Sequence, residues 1–335
     1  MLTLNFSPMK KVILPFLVAI VVMAVGYSVF RFTNSPEGQI VTAPLEQVRI
    51  AYKKSVPSFP IFVGIKQGYF AKYQLEVMPV VFESTNQMIE AVVRGDVDAS
   101  AVGAAEPALA AEVQSPGHFK FYGQVQWTKD NFLDYVLVKN GSPITSIVGL
   151  KGKKVGVAPG GASVIYTQLF LRHFLNPQDV TIEQLDPKLL VQALAAGSVD
   201  AVVGNEPLGS IIVQKGVGKV LLERPYTDYV PILPELTGVG LLSTRFIEQH
   251  PVVAEKFIAA IQEAFEFGNT HPEDVKKLLP ACCGMTTEIA ALIPHLGVYS
   301  GPSAINRDVL SRFADFLYDQ KLISTRLDTS SLVYP

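Results

Sequence analysis

Two glutamates, Glu106 and Glu206, each stand directly before a proline, and each closes the same phrase. One copy reads Gly95-Asp96-Val97-Asp98-Ala99, then Val102-Gly103 and Glu106-Pro107; the other reads Gly197-Ser198-Val199-Asp200-Ala201, then Val203-Gly204 and Glu206-Pro207. Proline holds the residue before it in an extended conformation and suits the first turn of a helix. Each carboxylate is therefore expected at the end of a strand, aimed at whatever lies beyond it. Asn205 and Glu206 can accept hydrogen bonds from an amine, amidine or amide. Glu106 can do the same, although Gly103-Ala104-Ala105 before it reads more as a loop that offers backbone to a ligand. The competing reading makes each glutamate a helix start complementing the helix dipole, and for Glu106 that reading is preferred. Asp98 and Asp200 are expected to order the turns before their strands.

A second kind of chemistry lies in Gly160-Gly161-Ala162-Ser163. Two glycines let backbone approach a ligand, and the helix behind them points unpaired N–H groups and its positive end outward. That is an anion site for a carboxylate, sulfonate or phosphate-like group; as an ordinary turn, it makes Ser163 a cap. Ser84, Thr85 and Asn86 form the equivalent turn in the first unit, with hydroxyl and amide groups that either face a cleft or cap the next helix. Ser58 and Phe59, in Val56-Pro57-Ser58-Phe59, stand after the first strand, where Phe59 either stacks on a flat ligand or joins the core. Trp127, the only tryptophan, ends a strand and is expected to wall the pocket.

No catalytic set accompanies these groups. The five histidines are scattered without metal spacing. There is no Gly-x-Ser-x-Gly elbow, no Walker loop and no dinucleotide fingerprint, so neither cofactor nor metal is expected. A net charge of −2 provides no basic stripe for nucleic acid. Cys282 and Cys283 are the only cysteines; as neighbours they make a strained disulfide, and half-buried thiols in a helix-ending loop are expected. The chemistry points to binding rather than catalysis.

The elements that must position these residues alternate strand and helix. Strands are expected at Val48–Tyr52, Leu75–Phe82, Ala99–Val102, Phe119–Gln126 and Leu133–Val138, then at Lys153–Ala158, Val180–Leu185, Ala201–Val203, Lys219–Leu222 and Val239–Ser243. Ser84 with Gln87 three residues on is a capping-box signature. After Ser243 only helices are expected: Pro251–Gly268, Pro272–Leu279, Thr286–Leu292 and Arg307–Gln320. Such alternation gives an α/β fold with parallel or mixed sheets and flanking helices. The surplus C-terminal helices must cover the first unit, so the chain leaves it near Val138 and returns near Val239. The lobes are then 48–138 with 239–335, and 139–238, joined by a two-segment hinge. Facing strand ends make a cleft, where ligands bind in open α/β sheets.

The N-terminus follows other rules. Lys10 and Lys11 precede the uncharged, apolar run Val12–Phe30, and Arg31 closes it. A positive region before an apolar one is the shape of an export signal, and Ala24-Val25-Gly26 offers small residues for cleavage. The run also nearly spans a bilayer, so residues 1–32 read as a cleaved signal or a retained anchor, and 33–47 as a tether. No cysteine follows for lipid attachment. The remainder is expected outside the cytoplasmic membrane.

From Val48 to about Gln320 the chain resembles the solute-binding proteins of ATP-binding-cassette importers, in the subgroup serving sulfonates, taurine, nitrate and thiamine-pyrimidine precursors. The resemblance rests on Phe62-Val63-Gly64-Ile65-Lys66-Gln67-Gly68-Tyr69-Phe70, both Gly-x-Val-Asp-Ala steps, Leu150-Lys151-Gly152-Lys153-Lys154-Val155-Gly156-Val157, and Phe246 with His250-Pro251. It implies a two-lobed type II binding fold that closes on a small ligand and presents it, as a monomer, to a membrane permease. It also implies ligand contact at the Gly160–Ser163 turn, where Ser163 fits as the small hydroxyl residue. Enzymes of thiamine-pyrimidine or menaquinone synthesis on the same fold are the alternative, as is a tethered ligand sensor.

Overall fold

The computed structural model describes residues 45–335. The export segment expected over Val12–Phe30 and nearly all of the tether lie outside the described residues. Among the described residues, no helix is long and apolar enough to cross a membrane.

Eleven strands are described: β1 (Glu46–Lys53), β2 (Leu75–Phe82), β3 (Ala99–Ala104), β4 (Phe119–Gln126), β5 (Asp134–Lys139), β6 (Lys154–Val157), β7 (Thr181–Gln184), β8 (Ala201–Asn205), β9 (Gly218–Glu223), β10 (Gly238–Ser243) and β11 (Val298–Ser300). They make a six-stranded sheet of order β11-β4-β10-β3-β1-β2 and a five-stranded sheet of order β7-β6-β8-β5-β9. Both sheets are mixed. β10 runs antiparallel to β3 and β4, and β5 antiparallel to β8 and β9. A strand that enters a sheet at the edge where its neighbours end must run against them, and β5 and β10 are the two strands that follow a crossing.

The first crossing differs from the expected one. The chain leaves the first sheet after Gln126 rather than near Val138, because β5 pairs inside the second sheet. β5 is buried from Asp134 to Val138, and such an unbroken apolar strand carries no sign of which sheet it enters. The return falls between Glu223 and Gly238. A second difference is β11, a three-residue edge strand in a stretch where only helices were expected. It is too short to leave a period in the sequence, yet it seats Tyr299 in the core at 2% exposure.

The repeated phrase folds the same way twice. Gly95 and Gly197 end their helices in the left-handed region (φ 78° and 74°), where a side chain is disfavoured. The residues after them donate back to Ala91 and Ala193. Asp98 then accepts from the Arg49 N–H at 2.8 Å, and Asp200 from the Lys154 N–H at 2.9 Å. Each aspartate thereby joins its turn to the strand beside it. The Arg49 guanidinium adds an ion pair to Asp98 at 2.7 Å.

The helix Pro251–Thr270 covers the first sheet, burying Ala254, Phe257, Ile258, Ile261, Ala264, Phe265 and Gly268 on one stripe. Phe257 stacks on Phe70 at 6.0 Å and meets Tyr122 edge-on at 5.2 Å. Burial of each such ring contributes about 1.5–3 kcal/mol. The next helix, Pro272–Cys283, runs past Pro280 and ends on left-handed Gly284. This turns Cys282 and Cys283 into the core, at 0% and 3% exposure, joined as a vicinal disulfide. Half-buried thiols in a helix-ending loop are the sequence expectation; both side chains are instead buried and bonded at the end of the helix.

Candidate functional site

Strand direction decides where the loops meet. β1, β2, β3 and β4 all run one way, so Lys53, Phe82, Ala104 and Gln126 end on one edge. β6, β7, β8 and β9 likewise end together at Val157, Gln184, Asn205 and Glu223. Both crossings join these two edges. Lys188 of the second unit lies 3.8 Å from Glu83 of the first, so the loops after β7 and β2 come together at the surface. The two sets of strand ends therefore lie on the side where the sheets are joined.

On the first edge, Ser84 accepts from the Gln87 N–H at 3.2 Å and caps the helix Thr85–Arg94. Gln87 reaches back to the Glu83 N–H at 3.0 Å. Thr85 packs against Gly103: a Cβ added there would come within 2.8 Å of the threonine methyl. Ser84, Thr85 and Gly103 are thus brought to one place, all half-buried. Trp127 is 7% exposed and its indole N–H has no partner among the described residues. Its own backbone N–H donates to Thr237 at 3.0 Å, tying the two crossings together.

On the second edge, Gly160 sits at φ 128° before the helix Gly161–Leu171, which has no side-chain cap. The Gly160 N–H is already taken by Gln184 at 2.8 Å, and no side chain caps the N–H groups that follow it. Ala162 and Ser163 are half-buried, and Asn205 is exposed.

Three expected contacts are corrected. Ser58 is buried and its hydroxyl donates to the Lys53 carbonyl at 2.7 Å, fixing the turn after β1. Phe59 is fully buried against Tyr299, with centroids 4.9 Å apart, so it has no face left for a ligand. Glu206 turns back on its own helix. It accepts from the Ser210 N–H and hydroxyl, both at 3.1 Å. Burial still pushes its carboxyl above the usual range. A carboxylate so occupied has little left to offer a ligand.

The groups that lack partners are others. Lys53 ends β1, half-buried, and no carboxylate among the described residues pairs with its ammonium. Burial alone pushes its pKa down. Glu106, in the first turn of the helix Ala105–Gln114, is half-buried and accepts no hydrogen bond among the described residues; burial pushes its carboxyl up. Tyr166 of the facing unit is 8% exposed with an unpartnered hydroxyl. Its pKa is raised well above the ordinary value by burial and then by the charge of Glu106. Lys53 passed unnoticed because Lys53-Lys54 reads as the break after a strand. Tyr166 had a legible signal: it lies three residues after Ser163, on the same helix face.

Two cavities lie away from these edges. One of about 680 Å³ is lined by Ala110, Val113, Tyr318 and Leu322. The other, about 130 Å³, is lined by Arg49, Asp98, Arg245 and His250. Neither touches a cleft residue, and the unpartnered groups are the better guide to the site. Among the described residues, no group of three or more His, Cys, Asp or Glu is placed to hold a metal ion.

The sequence profile of the NMT1-like family matches residues 42–280. The putative aliphatic sulfonates-binding protein of Bacillus subtilis is 26% identical over 301 residues, covering 86% of each chain. The periplasmic aliphatic sulphonate binding protein of Escherichia coli superposes with a TM-score of 0.70 over 87% of this chain and 92% of its own, at 22% identity. That likeness carries the fold. A 4-amino-5-hydroxymethyl-2-methylpyrimidine phosphate synthase of Saccharomyces cerevisiae is 22% identical over 220 residues, 62% of each chain.

Proposed function

The chain belongs to the NMT1-like family, and from that premise we propose that it is an extracytoplasmic solute-binding protein of an ATP-binding-cassette importer. Its lobes, 46–126 with 238–335 and 134–223, close on a small organic anion about a hinge made of the two crossings. Lys53 is the observation that carries this reading. It ends β1 half-buried and without a carboxylate partner among the described residues, so a bound anion would supply the opposite charge that the ammonium lacks. The uncapped helix start at Gly161–Ser163 offers the anion further donors from the other lobe. The names of the bacterial relatives favour a sulfonate head among the possible anions. Residues 1–32 act as a cleaved signal or a retained anchor, and the closed lobes present the solute to a permease.

A panel of sulfonates, amino acids, pyrimidines and inorganic oxyanions tests the reading by thermal shift. A sulfonate at a hundredfold excess over its dissociation constant should stabilise the fold by about 2.7 kcal/mol. Equal stabilisation of wild type and Lys53→Met would contradict it. The synthase among the relatives favours an enzyme as the second reading; a ligand recovered chemically unchanged after prolonged incubation separates binding from turnover. Protease protection of Val48–Pro335 in cells with an intact inner membrane would overturn the extracytoplasmic assignment.

A further inference from the structure

We propose that residues 293–297 form a third strap across the hinge, beside the two crossings, and that His295 makes its grip sensitive to pH. This rests on the two-lobed reading above and goes beyond it, to what restrains the lobes. The segment belongs to the first lobe, since it leads directly into β11, which pairs with β4. It is nevertheless held from the other side of the hinge. Asn131, in the first crossing, accepts from the backbone N–H of Leu296 at 3.1 Å and of Gly297 at 2.7 Å. Phe132 follows it, buried with Tyr135 in a core cluster of the second lobe. The His295 ring lies on Phe132 with centroids 4.7 Å apart. The strap thus ties a strand of one sheet to the core beneath the other.

The two crossings are themselves clipped together at both ends. Trp127 donates to Thr237 beside the first sheet, and at the second the Asp134 carboxylate accepts from the Tyr226 and Thr227 N–H groups at 2.7 and 3.1 Å. Residues 128–133 and 228–236 lie between these clips, where the lobes can turn. The strap grips the first of these stretches at Asn131 and Phe132, so a turn there must carry the strap along or release it. His295 is half-buried, and burial pushes its pKa below the ordinary value. Lys276 and Arg224 act in the same sense, while Glu223 and Asp130 oppose it. Arg224 also lies over the Phe132 ring at 5.3 Å, so a proton on His295 brings a second positive charge to one ring. A released imidazole takes up a proton more readily than the docked one. The strap therefore grips fully above the ordinary value of 6.5 and loosens as pH falls below it.

Trp127, the only tryptophan, reports on the strap without any ligand: a Cβ added to Gly297 would come within 3.6 Å of its indole Cδ1. Its emission is followed in the unliganded full chain from about pH 8 to about pH 5, the range in which histidine changes charge. Because no ligand is present, failure here leaves the solute-binding reading standing, and failure of the ligand panel leaves the strap standing. Wild type should shift to longer wavelength as pH falls and water reaches the indole. His295→Phe keeps a ring on Phe132 but has no proton to gain, so its emission should stay constant. Asn131→Leu should show the shifted emission even at the upper end of the range, and Asn131→Asp, which keeps the acceptor oxygen, should restore the wild-type emission there. Circular dichroism melting reports that each variant is folded. A wild-type emission that does not move, or an equal shift in His295→Phe, would overturn the role of His295. A folded Asn131→Leu with wild-type emission would overturn the strap itself.

Discussion

The two copies of the Gly-x-Val-Asp-Ala phrase fold alike up to the strand and part company after it. Both end a helix on a left-handed glycine, and both use an aspartate to tie the turn to the neighbouring strand. Past the strand, Glu206 folds back on the Ser210 N–H and hydroxyl, while Glu106 accepts no hydrogen bond among the described residues. The scaffold half of the phrase is thus kept in both lobes, and the loop half has diverged. One glutamate is engaged by its own helix; the other has no hydrogen-bond partner among the described residues. A repeat locates a pair of equivalent places in a fold, but the side chains around each place decide what it does.

The sharpest way to break this comparison lies outside both copies, at Lys53. Lys53→Met should weaken anion binding by roughly 2–5 kcal/mol, as for losing one partner of a buried charged pair. The unliganded protein should melt no lower than wild type, because a desolvated cation has been removed. Calorimetry with denaturation of the free protein checks both halves. Next come the aspartates. Asp98→Ala and Asp200→Ala each leave a strand N–H without its acceptor and should cost about 1–3 kcal/mol of stability. Asp98 should cost more, since the Arg49 guanidinium also loses its partner. Chemical denaturation measures this, and equal ligand affinity in both variants would mark them as scaffold.

Glu206→Ala should lower stability by about 1 kcal/mol through the unpaired Ser210 N–H, with ligand affinity close to wild type. A large loss of affinity with unchanged melting would return Glu206 to the ligand. The smallest effect is on pH dependence. The Glu206 carboxyl is raised above its ordinary 4.5 in the folded protein, so between these values the folded state holds a proton that the unfolded chain releases. Its contribution to stability therefore increases as pH falls through that window and fades as pH rises above the folded value. Melting curves of wild type against Glu206→Gln from neutral pH to pH 4.5 should converge or cross in that sense.

Much of this architecture was legible before any coordinates. The helix Pro251–Thr270 begins at its expected proline, and the Ser84 cap forms as its spacing predicts. Local chemistry wrote those features. What could not be read depends on neighbours distant in sequence. Phe59 looks like a stacking residue until Tyr299 is brought onto it by β11. Glu206 looks available until the helix Leu208–Gln214 turns the Ser210 N–H and hydroxyl onto it. Lys53 looks like an ordinary surface lysine until the fold half-buries it without supplying a carboxylate partner among the described residues. The sheet that claims β5 was equally hidden, since a strand buried on both faces does not record its neighbours.

Closure of two lobes on a ligand is the claim on which the rest depends. Small-angle scattering of the purified protein, with and without the sulfonate that gives the largest thermal shift, tests it directly. The radius of gyration should fall when the ligand is added to wild type and stay constant for Lys53→Met under the same conditions. Saturated binding to wild type with no compaction would contradict the hinge and leave a rigid site in its place.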